Sequence, residues 1–387
     1  MLEYLIITLT AIVADWSIYN ASLVLLGLAA RDRSPRAHSG VTFSLIVPAK
    51  NEGKVLGRLL ERLAHQQYDR ASYEVIVVED SSTDNTYEVC QEYTRKFDRI
   101  RCLKLPPSPV LNGKSRAINE ALKVAKGEVI GILDADSVPS LHMLSVVAGR
   151  FLNGAHAVQA KVVPYNVRES LVSRLASVEE LMYEYSLIGR ARLGLFVRLE
   201  GTGSFVRRDV LEALGGLNEH VLTEDAELAV RIYSLGMRVD YASDAVVMRE
   251  VPPRLSWLVK QRLRWYRGNL ELIRTTLRRR LTPWAVDSFL TLVSPLIVSL
   301  YLPLTALGAF YPHIQAILYA WLLASLAGLM TFTATLLVSK RHMVGMFFAV
   351  FTPVLINVIA GLNFVAVLLE VFGAKKAWVK TERSGAL

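Results

Sequence analysis

Residues 129–136 read VIGILDAD, an apolar run closed by two acids one residue apart. A stretch of Val, Ile and Leu fits a buried strand, and in an extended chain residues i and i+2 project to the same side. Asp134 and Asp136 would then set two carboxylates together at one strand end. Like charges held close repel each other. The arrangement is stable where a cation sits between them, or where water reaches both and the strand merely stops.

Two earlier stretches share this form: FSLIVPAKNE at 43–52 and YEVIVVED at 73–80 are also β-branched runs that end in polar residues. Between these two lies GKVLGRLLERLAHQQ, and before VIGILDAD come NTYEVCQEYTRKF and SRAINEALKVAKG, all with apolar residues at helical spacing. Alternating strand and helix implies an α/β architecture, a mainly parallel Rossmann-like sheet with helices on both faces. Ligands of such sheets bind outside the carboxyl ends of the strands. Those ends carry Asn51 and Glu52, Glu79 and Asp80, and Asp134 and Asp136, so the acids converge on one edge. No GxGxxG follows the first strand and no GxxxxGK[ST] occurs anywhere, which excludes the dinucleotide fingerprint and the P-loop. A site this rich in carboxylates holds a diphosphate only with a divalent cation as bridge, and its oxygen ligands suit Mg2+ or Mn2+.

The 387 residues are 52% apolar and carry 44 Lys and Arg against 35 Asp and Glu, a composition that implies membrane segments. From Met1 to Ala30 the charges are Glu3 and Asp15, and the stretch lacks the cationic start of a signal peptide. Residues 1–36 therefore read as a retained anchor. Three further apolar stretches, at roughly 285–311, 314–338 and 343–373, are each long enough to span, within a C-terminal membrane region and basic tail at 281–387. Arg31, Arg33 and Arg36, with Lys340 and Arg341, put 40–280 on the cytoplasmic side of a multi-pass cell-membrane protein. The tail cations Lys375, Lys376, Lys380 and Arg383 conflict with three complete crossings, so the last stretch, with Pro353 and Asn357, reads as a hairpin or a tilted interfacial segment. Residues 254–280 hold nine basic residues against Glu271 as sole acid, and Leu255, Leu258, Tyr266, Leu270, Ile273 and Leu277 follow helical spacing, as in a helix lying at the membrane interface. Cys90 and Cys102 fall in the cytoplasmic part, where thiols stay reduced. The His residues lack metal-ligand spacing, and His220 reads as a loop histidine.

Seven short motifs together resemble the inverting family 2 glycosyltransferases of GT-A fold, and within them the membrane-embedded branch of cellulose and hyaluronan synthases. They are VPAKNE (47–52), VVEDSSTDNT (77–86), NGKSRAIN (112–119), DAD (134–136), GTGSFVRRDVLEALGG (201–216), TED (223–225) and QRLRW (261–265), in the family's order. The resemblance implies a nucleotide-sugar transferase with a GT-A catalytic domain at 37–253. It implies a donor pocket from Pro48, Ala49, Asn51, Glu52, Glu79, Asp80, Lys114, Asp134 and Arg264, with Glu79 standing where the family has Asp. Asp136, with Asp134, would coordinate a divalent cation, Mn2+ or Mg2+, that neutralises the leaving diphosphate. Lys114 reads equally as an exposed lysine. Gly203, Ser204, Glu224, Gln261 and Trp265 fall on the acceptor side, Trp265 as a stacking platform and Arg264 as a forked diphosphate ligand.

By the same resemblance Asp225 is the general base, since an acceptor hydroxyl needs its proton removed as it attacks the anomeric carbon. A plain helix start is the competing reading, because Thr223 before Glu224, Asp225 and Glu227 suits capping and the helix dipole. The short form resembles minimal archaeal or bacterial enzymes that extend lipid-linked glycans. That analogy implies GDP-mannose ahead of UDP-glucose as donor, a polyprenyl- or dolichyl-linked acceptor in the bilayer, and no nucleic acid as partner. Alternatives are a processive polysaccharide synthase, an inactive nucleotide-sugar-binding membrane subunit, and a transporter with an accessory domain. Retention of Asp225 and Arg264 argues against the inactive subunit, and the few charges within the spans argue against transport. The residues leave the oligomeric state open.

Overall fold

The computed structural model describes residues 2–30, 35–276, 282–300, 303, 304, 306 and 352–376. The chain divides into two compact units. An α/β unit is drawn from 31–169 and 196–253, and a helical unit from 1–30, 170–195 and 254–381.

The α/β unit contains β1 (Phe43–Ala49), β2 (Tyr73–Asp80), β3 (Ile100–Leu105), β4 (Val129–Ile132), β5 (Val138–Pro139), β6 (Ala157–Pro164), β7 (Ser204–Arg207) and β8 (Val239–Arg249) in one sheet of order β3-β2-β1-β4-β7-β6-β8-β5. The described helices of the whole chain are α1 (Leu2–Leu28), α2 (Leu56–Ala64), α3 (Thr86–Lys96), α4 (Gly113–Leu122), α5 (Met143–Leu152), α6 (Leu171–Arg192), α7 (Arg208–Ala213), α8 (Glu224–Ser234), α9 (Leu255–Thr276), α10 (Pro283–Ser299) and α11 (Thr352–Val371).

The half of the sheet read from sequence is parallel: β1 lies between β2 and β4, and β2 pairs with β3. Phe43, Leu45 and Val47 of β1 share a core with Val75 and Val77 of β2 and with Leu56, Leu59, Leu60 and Leu63 of α2. Each such side chain, fully buried, contributes about 1.5–3 kcal/mol relative to leaving it exposed. Parallel pairing brings the carboxyl ends of β1, β2 and β4 to one edge, as expected.

The other half departs from the expectation of a mainly parallel sheet. β7 runs antiparallel to both β4 and β6, β6 is parallel to β8, and β5 is antiparallel to β8. A parallel neighbour needs a crossover back to the starting edge. β7 instead enters from the edge where β4 ends, where the Asp134 N–H donates to Thr202 Oγ1 at 3.1 Å, and so it runs back.

Cys90 of α3 and Cys102 of β3 are disulfide-bonded, with Cα atoms 6.1 Å apart, rather than free thiols. Cys90 lies on the buried face of α3, which brings it onto the edge strand that carries Cys102.

The helical unit takes in 170–195, a segment that the sequence reading left inside the catalytic domain. There α6 packs backbone-to-backbone on α1: a Cβ at Gly27 would stand 1.9 Å from Tyr185 O, and one at Gly189 2.1 Å from Leu23 O. Only glycine permits that approach. Arg190 of α6 donates through Nε to both carboxylate oxygens of Asp287 of α10 at 3.2 Å, and Tyr19 of α1 donates to Asp287 at 2.7 Å.

Among the described residues one helix, Glu3–Leu28, is long and apolar enough to cross a membrane. Pro283–Ser299 and Val358–Val371 are apolar but shorter, so the multi-pass expectation does not carry over to the described residues. The expected span at 314–338 lies outside them, as do Arg31, Arg33, Lys340, Arg341, Lys380 and Arg383. Of the last stretch, read as a hairpin or a tilted interfacial segment, residues 343–351 lie outside the described residues, and α11 is continuous from Thr352 to Val371.

Candidate active site

The loops after β1 and β2 are tied together at the carboxyl edge by side chains. Asn51, in the left-handed region at φ 53, receives the Thr83 N–H on Oδ1 at 2.8 Å, and its own N–H donates to Ser82 Oγ at 3.0 Å. The Glu52 N–H donates to Thr86 Oγ1 at 2.8 Å, and Asp84 Oδ2 accepts the Gly53 N–H at 3.0 Å. Asp84 is thus a loop fastener. Pro48 and Ala49 lie inside β1, opposite Val78 and Glu79. Glu79 is 1% exposed and accepts the Ser82 N–H through Oε1, while Asp80 takes Arg116 at 3.3 Å and Lys50 at 3.5 Å.

Asp134 and Asp136 do not project side by side from a strand. β4 ends at Ile132, and the chain turns so that the Ser137 N–H donates to Asp134 O at 3.0 Å, which cancels the two-residue period. Asp134 Oδ1 receives Lys114 Nζ at 2.5 Å, whereas Asp136 Oδ2 receives the Glu250 N–H at 3.4 Å.

Lys114 also donates to Gly201 O at 2.9 Å and stands 3.6 Å from Glu224 Oε1. Its ammonium links β4, the 193–203 loop and the start of α8, and is not the exposed lysine allowed by the sequence. Burial would push Lys114 down, but Asp134, Glu224 and Asp225 outweigh it and hold the group above its ordinary value. Burial pushes the Glu224 carboxyl up, against the pull of Lys114.

Asp225 begins α8. Its Oδ1 accepts the Ala226 N–H at 2.7 Å, and Arg198 stands 3.6 Å away. A Cβ at Gly201, where φ is +73°, would lie 3.0 Å from Lys114 Nζ and 3.2 Å from Asp225 Oδ2, so glycine there admits both groups. Thr223 occupies the N-cap position of α8 but makes no side-chain cap, and its buried hydroxyl has no hydrogen-bond partner. The acids of this first turn are therefore not part of a Thr cap.

Glu224 Oε2 accepts from Asn112 Nδ2 at 2.8 Å, and Asn112 Oδ1 caps α4 through the Ser115 N–H at 3.2 Å. Ser204 is drawn into the sheet interior: its hydroxyl donates to Gln159 Oε1 at 2.9 Å, and Gln159 Nε2 donates to Thr202 O at 3.0 Å. At Gly203, where φ is 63, a Cβ would stand 3.1 Å from Ala160 Cβ and 3.2 Å from Val247 Cγ2, tighter than ordinary contact. These two support the loop that carries Gly201.

This edge joins acids, one half-buried ammonium and a loop of glycines at positive φ on a half-parallel, half-mixed sheet, and residues 40–268 match the family described as Glycosyltransferase like family 2. The chain belongs to this family. The family match spans the whole α/β unit apart from its first residues, and also α6 and the first half of α9.

The chain is similar to the Probable glycosyltransferase YdaM of Bacillus subtilis, with 31% identity over 58% of this chain and 54% of that protein. It is also similar to the Beta-monoglucosyldiacylglycerol synthase of Nostoc sp., with 31% identity over 59% of this chain and 49% of that protein. It spans about half the length of these curated relatives. A mannosyltransferase from Pyrobaculum calidifontis, solved in complex with GDP-Man and Mn2+, shares the fold at TM-score 0.68 and 21% identity, over 97% of this chain and 100% of that one.

The remaining family motif, QRLRW, lies on α9 in the helical unit. Gln261 Oε1 accepts from Arg262 Nη1 at 2.6 Å. Arg262, 1% exposed, pairs with Glu179 at 2.9 Å and Glu180 at 3.4 Å and stacks 4.3 Å from the Trp265 ring centroid. One face of Trp265 is thus taken by Arg262, and Arg264 and Trp265 are half-buried. Sequence reasoning passed over Arg262, Asn112, Gln159 and Arg198. NGKSRAIN held the one available signal, an Asn before a helical run, which is a cap pattern. His220 is an exposed loop residue, as read.

Proposed function

We propose that the chain transfers a hexose, with inversion, from a nucleoside-diphosphate sugar to a lipid acceptor in the membrane. GDP-mannose is the favoured donor and UDP-glucose the next. The observation that carries this reading is the meeting of Asp225 with Lys114 at Gly201, on the edge where Asp134 also receives Lys114. A proton acceptor and the donor-side acid then face one small space.

In this reading Asp225 Oδ2 takes the proton of the acceptor hydroxyl as its oxygen attacks the anomeric carbon, and Arg198, 3.6 Å from Oδ1, holds the carboxylate in place. Lys114 and Asn112 hold α8 in register with Asp134 through Glu224. Glu79 and Asp80 serve the nucleoside side of the donor pocket, with Pro48, Ala49, Asn51 and Glu52 forming its wall.

The donor set fits a divalent cation. Carboxylate oxygens of Asp136 and Asp134 are hard ligands, and Mg2+ or Mn2+ is commonly held by one or two carboxylates plus substrate phosphates. Among the described residues no group of three or more His, Cys, Asp or Glu gathers for a metal. Bound there, the cation would supply Lewis-acid stabilisation of the departing diphosphate.

A membrane acceptor is supported by the apolar α1 and by the relative named for diacylglycerol glucosylation. A polyprenyl-linked glycan is the first acceptor to test, diacylglycerol the second. Membranes bearing the full chain are incubated with radiolabelled GDP-mannose or UDP-glucose and Mn2+. Label should move into solvent-extractable lipid with one or a few sugars. A high-mass, alkali-insoluble product would replace this reading with processive synthesis.

A further inference from the structure

Asp136 adjoins a second buried carboxylate. Glu250, directly after β8, is 1% exposed and Asp136 2%, and the Glu250 N–H donates to Asp136 Oδ2 at 3.4 Å. Two acids this buried are costly unless opposite charge and donors compensate them. A chain of donors leads to that place. Arg58 Nη2 donates to the Tyr165 hydroxyl oxygen at 2.5 Å, with its guanidinium carbon 4.7 Å from the ring centroid. The Tyr165 O–H donates in turn to Glu250 Oε2 at 3.2 Å. A phenol that accepts from a cation has a more polarised O–H and donates more strongly. Burial first, then the negative charge of Glu250 and Asp136, holds the phenol well above its ordinary value, so it keeps its proton.

The members of this chain are fixed by their own backbones. The Tyr165 N–H donates to Arg249 O at 3.1 Å. Next to it Asn166 closes on Val251 in both directions, donating to its carbonyl and accepting its N–H at 2.9 Å each. Glu250 is thereby held from both sides. Arg58 stands on α2, whose Leu56, Leu59, Leu60 and Leu63 are anchored in the core.

We infer that Arg58, Tyr165 and Glu250 are positioning residues that preset the Asp136 carboxylate for a divalent cation. This rests on the role proposed above for Asp136. Outer groups that orient a metal-binding carboxylate commonly change metal affinity by about 10–100-fold when removed. Tyr165→Phe deletes one hydroxyl and keeps the ring, so the stacking of Arg58 and the packing survive.

The test is Mn2+ binding to the full chain in detergent with GDP present, read from the free-Mn2+ electron paramagnetic resonance signal, beside the melting temperature. Tyr165→Phe and Glu250→Gln should each raise the Mn2+ dissociation constant about 10-fold or more, with Asp136→Ala abolishing binding. GDP affinity in EDTA should be unchanged in Tyr165→Phe. Unchanged Mn2+ affinity in both variants, with Asp136→Ala still inactive in binding, overturns the positioning role and leaves the cation reading standing. Full Mn2+ affinity in Asp136→Ala overturns the cation reading itself. A lower melting temperature without weaker Mn2+ binding reduces the trio to a structural one and likewise overturns the inference.

Discussion

Among the described residues of the helical unit, buried cations meet acids inside the protein. Arg190 spans both oxygens of Asp287, and Arg262 lies between Glu179 and Glu180. At the edge of the α/β sheet the balance differs: Asp134, Glu224 and Asp225 draw on Lys114 and Arg198, and Asp136 adjoins Glu250. Matched charge fixes how helices pack, and its removal should be felt as stability. At the sheet edge the acids belong to the proposed site, so their removal should be felt as binding or rate rather than as packing.

The sharpest way to break this contrast is Arg190→Met, which strands Asp287 as a buried charge. Removal of one partner of a buried pair costs about 3–5 kcal/mol. Thermal unfolding in detergent should fall accordingly, and Arg190→Met with Asp287→Leu should recover much of the loss. An unchanged melting temperature in the single variant would show that the pair does not organise the helices.

The counterpart at the sheet edge is Asp225→Asn, which retains shape but not the proton acceptor. Transfer should drop by about 10²-fold or more, or about 2.7 kcal/mol in barrier, while donor affinity and melting temperature hold. Retained turnover would return Asp225 to a helix-start role. Loss of donor affinity together with turnover would move it into the donor pocket.

The smallest effect compares two helix starts. Ser170 caps α6 by accepting the Ser173 N–H at 3.0 Å, so Ser170→Ala should cost about 1 kcal/mol of stability. Thr223 makes no such cap, and Thr223→Val should leave the melting temperature level or raise it, since no hydrogen bond is lost. Equal losses in the two variants would mean that the Thr223 hydroxyl caps α8 after all.

The same contrast explains what the sequence revealed. β1, β2 and β4 were legible because strands buried on both faces in a parallel sheet read as unbroken apolar runs, and their acidic ends located the site edge. In the mixed half β7 has four residues and β5 two, too short for a period to register, whereas β6 and β8, with eight and eleven residues, were passed over. α6 was hidden for the opposite reason. Its Arg174, Glu179, Glu180, Glu184, Arg190 and Arg192 resemble a solvated helix, yet Glu180, Glu184 and Arg190 are buried against other helices. Which charges are matched depends on partners about 80–100 residues away, as with Arg262 and Glu179 or Arg190 and Asp287, and no local pattern encodes that. The turn that parts Asp134 from Asp136 depends in the same way on Thr202 and Lys114.

The interleaving of the units along the chain has a consequence for fragmentation. Between residues 1 and 381 the polypeptide changes unit four times, at 30/31, 169/170, 195/196 and 253/254. No single protease cut can release either unit whole. A nick between Arg192 and Phe196 would leave two fragments of the α/β sheet zipped together by β7, which hydrogen-bonds to β4 and β6 of the preceding fragment. Such a nicked protein should migrate as two bands under denaturing conditions and as one particle in native chromatography, and the two fragments, expressed separately, are natural candidates for reassembly by complementation.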